Sequence, residues 1–357
     1  MSEAADEKRN LLLAGAVALM ALASMAIAPR RKSPAGRASA SAKGGRGRLS
    51  ESPGQIPARG WKDIAIRVYK SISEDRLLAE AAGITYYALL AIFPAIAALV
   101  SIYGMSADPA AIAITLDSVA GILPGGAIDV VREQLTRIAA QPRGTLGLGA
   151  IFGLLVSLWS ANAGVKALFD ALNVVYGEKE RRGFFALNAL SLAFTLAAVS
   201  FLLVAIGAIA ALPAVLQYLS LGDLLEWILN LLRWPILLAT IVIALALIYR
   251  NGPSRDRPKW KWVTWGSGLA GILWLAVSAL FSWYAANFGS YNETYGSLGA
   301  VVGFMTWLWI SAIVILLGGE INAEIEHQTL RDSTEGRPAP LGARGAAMAD
   351  SVGAAQG

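Results

Sequence analysis

The sequence predicts an all-α fold: a polytopic helical membrane protein with six core transmembrane helices and an N-terminal anchor helix. Three observations carry this. The 357 residues are 56% hydrophobic and only 15% charged, far more apolar surface than one soluble core of that length buries. The apolar residues gather in uncharged runs, of which Gly299 to Gly319, 21 positions without a charge, is long enough as a helix to cross a hydrocarbon core of about 30 Å. Finally, the polar segments between the runs alternate in basic content. Segments 29–83, 166–184, 250–262 and 320–357 hold 24 of the 30 Lys and Arg, the bias that marks cytoplasmic loops. The chain lacks cysteine and has one histidine, which excludes disulfide staples, thiolate-held metals and His-pair acid–base chemistry.

In order, Leu11 to Ala28 is an uncharged run read as an anchor over 1–28. Pro29 and the basic run Arg30-Arg31-Lys32 oppose signal cleavage and place the N-terminus outside. Residues 29–60, rich in Arg, Ser, Gly and Pro, predict a disordered basic linker, since they bury too little to offset their ordering entropy. Trp61, Ile64, Ala65, Val68, Tyr69 and Ile72 recur at helical spacing. They predict an amphipathic helix lying along the membrane interface, with Lys62, Asp63, Arg67 and Lys70 on its other face. Spans are predicted from Ile84 to Met105, broken at Pro94, from Thr145 to Val165, and from Phe184 to Leu212.

Further spans follow from Leu231 to Tyr249, from Val263 to Ala286, and through Gly299 to Gly319. Residues 106–144 predict an external helical loop and 217–233 a short external segment, while 328–357 predict a disordered cytoplasmic tail behind a membrane domain over 61–327. No internal repeat is visible, so nothing favours a transporter of the inverted-repeat kind. The loop Arg250 to Trp262 is basic and flanked by Trp260 and Trp262, an interfacial anchor rather than a nucleic-acid patch.

Several groups of residues stand out together: Ala82-Gly83 with Tyr86-Tyr87 and Phe93-Pro94; Leu158-Trp159-Ser160; Phe169 to Tyr176 with Asn173; and Tyr249-Arg250 with Pro253. Asn287 to Asn292 runs into Thr294 to Gly299, and Leu317 to Ala323 closes the pattern. Jointly they resemble the YihY/BrkB family of bacterial inner-membrane proteins, formerly labelled ribonuclease BN. The resemblance implies six core helices with both ends of that core in the cytoplasm, and a transport-like or envelope role. The anchor at Leu11 departs from the family pattern.

The candidate residues form three groups. Tyr86 and Pro94 lie on the first core span, and Asn162 and Asn173 near the inner end of the second. Each serves either a polar path or helix packing. The turn with Tyr291, Asn292, Tyr295, Gly296 and Gly299 is an outer gate or a rigid hairpin. Glu320, beside Gly318-Gly319 and near Asn322, sits at the hydrocarbon edge. There it binds a cation or proton, pairs with Arg182 or Arg250, or is a solvated boundary carboxylate.

Glu320, Glu324 and His327 share one helical face, and Glu324 to His327 has Glu-x-x-His spacing, but a di-iron bundle needs a second such helix and no second histidine exists. The expectations are therefore no catalytic, metal or cofactor site and no nucleic-acid partner. They are a transporter-like or lipid-handling role toward a lipid or small-molecule substrate among membrane lipids, with a scaffold as the alternative and ribonuclease activity disfavoured. The proposed motion alternately exposes a cavity between the Pro94 helix and the last helix. Substrate and oligomeric state are not specified by these residues.

Overall fold

Uncharged apolar runs have one stable backbone solution in lipid, a helix that satisfies its own N–H and C=O groups, and the computed structural model follows it. It describes residues 45–106, 143–219, 223–288 and 297–356. The anchor 1–28, linker residues 29–44, the external loop 107–142, and Tyr291, Asn292, Tyr295 and Gly296 of the turn lie outside them. In chain order the helices are α1 (Ala58–Glu74), α2 (Leu77–Ser106), α3 (Arg143–Val175), α4 (Phe184–Leu219), α5 (Asp223–Asn251), α6 (Trp260–Phe288), α7 (Ser297–Gln328) and the short α8 (Ala347–Asp350). The described residues contain one isolated bridge, Pro258 with Thr334, and no strand.

Among the described residues, four helical segments are long and apolar enough to cross a membrane: Ile151–Val175, Phe184–Phe201, Trp260–Tyr284 and Val301–Gln328. Leu77–Ala91 and Pro235–Asn251 are shorter apolar stretches. α2 stays helical through Pro94, and most of the expected external segment 217–233 belongs to α4 and α5. Phe152, Trp159 and Phe185 are 71%, 75% and 86% exposed. Such large side chains would be an aggregation liability in water and are the lipid-facing surface of a membrane bundle.

The helices are joined through small residues and buried hydrogen bonds. α6 and α7 run antiparallel, with Trp274 Nε1 donating to Ser311 (3.0 Å) and Trp307 Nε1 to Ser278 (3.2 Å). Tyr249 of α5 donates to the Ile315 carbonyl of α7 at 2.6 Å, and Trp309 of α7 donates to the Leu78 carbonyl of α2 at 3.0 Å. A Cβ on Gly266 would collide with the Gly318 carbonyl and come within 2.5 Å of Asn322. The glycines are therefore what lets α6 and α7 touch backbone to backbone.

Two expected disordered segments are folded where the structure describes them. Residues 45–60 of the linker and 328–356 of the tail close over one end of the bundle. Arg48 donates to the Gln328 and Gly353 carbonyls at 3.2 and 2.6 Å, and Leu330 N donates to the Arg48 carbonyl at 2.8 Å. Within the tail, Arg344 donates to the carbonyls of Leu330 and Ala349, each at 2.7 Å, and Ala339 at 3.1 Å. Composition counts apolar burial and misses this kind of order, in which buried guanidinium groups satisfy backbone carbonyls.

The helix α1 differs from expectation in what it buries. It docks on the end of α7 and buries Asp63 and Arg67, expected on its polar face, together with Ile64 and Val68. Tyr69, expected on the apolar face, is exposed. The reason is electrostatic: Asp63 receives Arg46 at 2.6 and 2.8 Å, and Arg67 meets Glu324.

Candidate functional site: the polar end of the bundle

The α7 helix leaves its uncharged run at Glu320 and turns one carboxylate, amide or imidazole after another into the closed end. The Glu324 carboxylate accepts from Arg67 Nε and lies 3.5 Å from His327 Nδ1. The pair that resembled a metal motif thus serves an ion pair. Arg67 also reaches the Glu324 carbonyl (3.2 Å), Gln328 (2.8 Å) and the Ala354 carbonyl (3.1 Å). Two residues on, Glu326 takes a two-pronged bond from Arg255 at 2.8 and 2.9 Å and a third from Ser333 at 2.8 Å. Both side chains of that pair are fully buried, and Arg255 lies 4.1 Å over the Tyr176 ring.

Asn173 and Asn322 both bond between elements. Asn173 Oδ1 accepts from Ser254 N at 2.7 Å and its amide donates to Glu180 at 3.2 Å, tying the end of α3 to the α5–α6 connection. Asn322 accepts from Gly266 N at 2.8 Å and donates to the Val263 carbonyl at 3.1 Å. It occupies a backbone donor and a backbone acceptor of α6 at once. α3 stops just before with Gly177 at φ 65°, where Gly177 N bonds to Val174 O and Glu178 N to Asn173 O. This double closure of a helix end favours glycine at the left-handed position.

Glu180 and Arg182 form the half-buried edge of the same hub. Arg182 donates to both Glu180 oxygens at 2.7 and 2.6 Å and to the Gly252 carbonyl at 2.7 Å. Those bonds hold the Glu180 carboxyl at about 2 against an ordinary 4.5, outweighing the opposite effect of its partial burial. The folded value is depressed, so the stabilisation is complete above the ordinary value and is lost as pH falls through about 2. Asp63 and Asp332 are lowered in the same direction: burial alone would raise both, but Arg46 and the Gln356 N–H hold Asp63, and the Ala339 N–H and Thr334 hold Asp332. Thermal melts in detergent should therefore show a midpoint that drops on acidification below about pH 5. Glu180→Gln should remove part of that slope, worth no more than about 1 kcal/mol after solvent screening; an unchanged slope would contradict the assignment.

Glu320 differs from its neighbours. It is fully buried, and neither carboxylate oxygen has a hydrogen-bond partner among the described residues. Ser71 of α1 faces it without closing a hydrogen bond, and the charged groups that act on it, Asp75, Glu324 and Glu74, are all acidic. The expected pairing with Arg182 or Arg250 is not made, because Arg182 is held by Glu180 and Arg250 by Glu335. Nor is Glu320 a solvated boundary group.

The remaining candidates do not converge on it. Tyr86 is 57% exposed with its ring against Tyr87, and Asn162 is buried with an unpartnered Oδ1. Pro94 and Gly299 are placed within α2 and α7. Sequence reading missed Arg255, Glu326, Arg48 and Arg344 as organising residues. Only the high arginine content of otherwise flexible-looking segments signalled them.

A family model described as "Virulence factor BrkB" matches residues 68–341. The chain belongs to the BrkB family. YfkH of Bacillus subtilis, whose name calls it ribonuclease-like, is 30% identical over 257 residues, 68% of this chain and 88% of YfkH. A UPF0761 membrane protein of Haemophilus influenzae is 25% identical over 274 residues, 74% of this chain and 96% of that protein. One of Alkalilimnicola ehrlichii is 27% identical over 264 residues, 72% of this chain and 57% of that protein. No solved structure matches the chain. The BrkB match takes in Asn173, Arg255, Glu320, Asn322 and Glu326 but begins one residue after Arg67 and ends before Arg344. The ion pair of Arg67 with Glu324 therefore joins matched to unmatched sequence.

Proposed function

We propose that this BrkB-family membrane protein sits in the bacterial cytoplasmic membrane, with its polar end and C-terminus in the cytoplasm, and has a transporter-like or lipid-handling role. The orientation is supported by the Lys and Arg excess in the segments that build that end. The role rests on one observation, a buried and unpartnered Glu320 at the end of the uncharged run of a crossing helix. Ionisable groups in that setting bind and release a proton or cation, and Glu320 does so as the cavity between α2 and α7 opens and closes.

Proteoliposomes carrying fluorescent phosphatidylglycerol, quenched from outside by dithionite, test it. Transbilayer movement exceeds that of protein-free vesicles and returns to that level in Glu320→Gln, which keeps the size of the side chain. Equal movement in wild type and variant removes Glu320 from the mechanism.

A non-transporting envelope scaffold is the second reading, favoured by Asn173 and Asn322 acting as helix clamps. It expects no movement at all and loss of stability alone when those clamps are cut. We read the chain as a non-enzyme: of the groups a ribonuclease would draw on, Glu324 and Glu326 are engaged with Arg67 and Arg255, and His327 lies 3.5 Å from the already paired Glu324.

A further inference from the structure

Five of the arginines at the polar end face one open cleft of about 320 Å³ between the α3–α4 and α5–α6 connections: Arg181, Arg182, Arg250, Arg255 and Arg257. Four of them have carboxylate partners, Glu178, Glu180, Glu335 and Glu326, yet none of those four acids lines the cleft. The four acids lie outside the lining, and of the five arginines only Arg255 keeps its side chain fully buried. Asp256 is the one carboxylate in the lining.

The five are not equivalent. Arg182 and Arg255 are held by two-pronged bonds and form the fixed wall, Arg255 keeping a buried Nε without a partner among the described residues. Arg250 is held by Glu335 and stacked 4.3 Å over Trp260. Arg181 is 59% exposed and uses a single nitrogen on Glu178. Arg257 is exposed, and its side chain has no partner among the described residues. A guanidinium carries five N–H donors, so Arg181 and Arg257 keep most of theirs open beside an already electropositive wall. Leu190 of α4 completes the lining, on the helix whose first residues, Phe184 and Phe185, are exposed apolar groups at the start of a candidate span.

The geometry points to a binding site for a phosphate group in this cleft, gripped by Arg181 and Arg257, with an anionic phospholipid headgroup at the membrane boundary as the favoured source and a soluble phosphate as the other. Planar forks match phosphate oxygens two at a time, and the cleft lies at the root of a lipid-facing helix. The inference stands apart from Glu320, which does not line the cleft.

Titration of the full-length protein in detergent with short-chain phosphatidylglycerol, phosphatidylcholine or inorganic phosphate, read by thermal shift, tests it. Phosphatidylglycerol should raise the melting midpoint saturably, and Arg181→Gln with Arg257→Gln should weaken its apparent affinity about tenfold or more, the loss of one charge-assisted fork. Arg257 has no side-chain partner to lose among the described residues, so Arg257→Gln alone should leave the unliganded midpoint unmoved, whereas the double variant also gives up the Arg181 bond to the buried Glu178. Arg181→Lys with Arg257→Lys should bind at intermediate strength. Saturable binding of inorganic phosphate, lost in the same Gln variant, supports the site with a soluble ligand. Unchanged phosphatidylglycerol affinity in that variant overturns the proposal. So does an equal loss when Lys62→Gln and Lys261→Gln remove the same charge outside the cleft, or the absence of saturable binding by any of the three.

Discussion

Arg255→Ala should lower the stability of the detergent-solubilised protein by about 3–5 kcal/mol, the cost of leaving a buried carboxylate without its partner. Glu326 would then keep Ser333 but lose both guanidinium bonds, in a place where neither side chain of the pair touches solvent. Glu326→Ala should cost a similar amount. The double change Arg255→Met with Glu326→Leu should recover much of the loss, because two apolar groups need no partner there. Denaturant titration of the four proteins measures each of these losses. A loss below about 1 kcal/mol in Arg255→Ala would mean the pair behaves as a solvated surface pair.

The second large effect is a single methyl group. Gly266→Ala places a Cβ against the Gly318 carbonyl and the Asn322 amide, neither of which can give way without separating α6 from α7. Overpacking of that kind costs about 1–3 kcal/mol, and here it also strains the Asn322 bonds to Gly266 N and the Val263 carbonyl. Gly268→Ala, two residues along the same helix, adds its Cβ to open space and should be neutral or slightly stabilising. Melts that rank the two variants equally would contradict the close approach.

The helices were legible because each rests on a local signal, an uncharged run long enough to span. Their ends were read too short: α7 continues past Gly319 to Gln328, since its carboxylates are bonded to distant arginines rather than solvated. The same cause hid the order of 45–60 and 328–356. Arg48 and Leu330, or Glu178 and Ala347, are far apart in sequence, and nothing local to either announces the bond. Of the candidate residues, Glu320 was singled out for its place at the end of an uncharged run, and the structure adds that it is buried and unpartnered. Asn173 and Asn322 were found by polarity, which does not distinguish a path from a clamp. The arginine cleft escaped notice because its members come from two connections more than sixty residues apart.

The central claim is that the chain beyond α7 closes the polar end and commits its charges to structure, leaving Glu320 and the cleft to act. A Cβ at Gly177 would lie 3.8 Å from that of Ala347, a spacing that suits a disulfide, in a chain without cysteine of its own. Gly177→Cys with Ala347→Cys, oxidised in isolated membranes, should lose both thiols to maleimide labelling and regain them on reduction, while each single variant stays labelled. A pair that remains fully reactive after oxidation would contradict the docked tail and the account built on it.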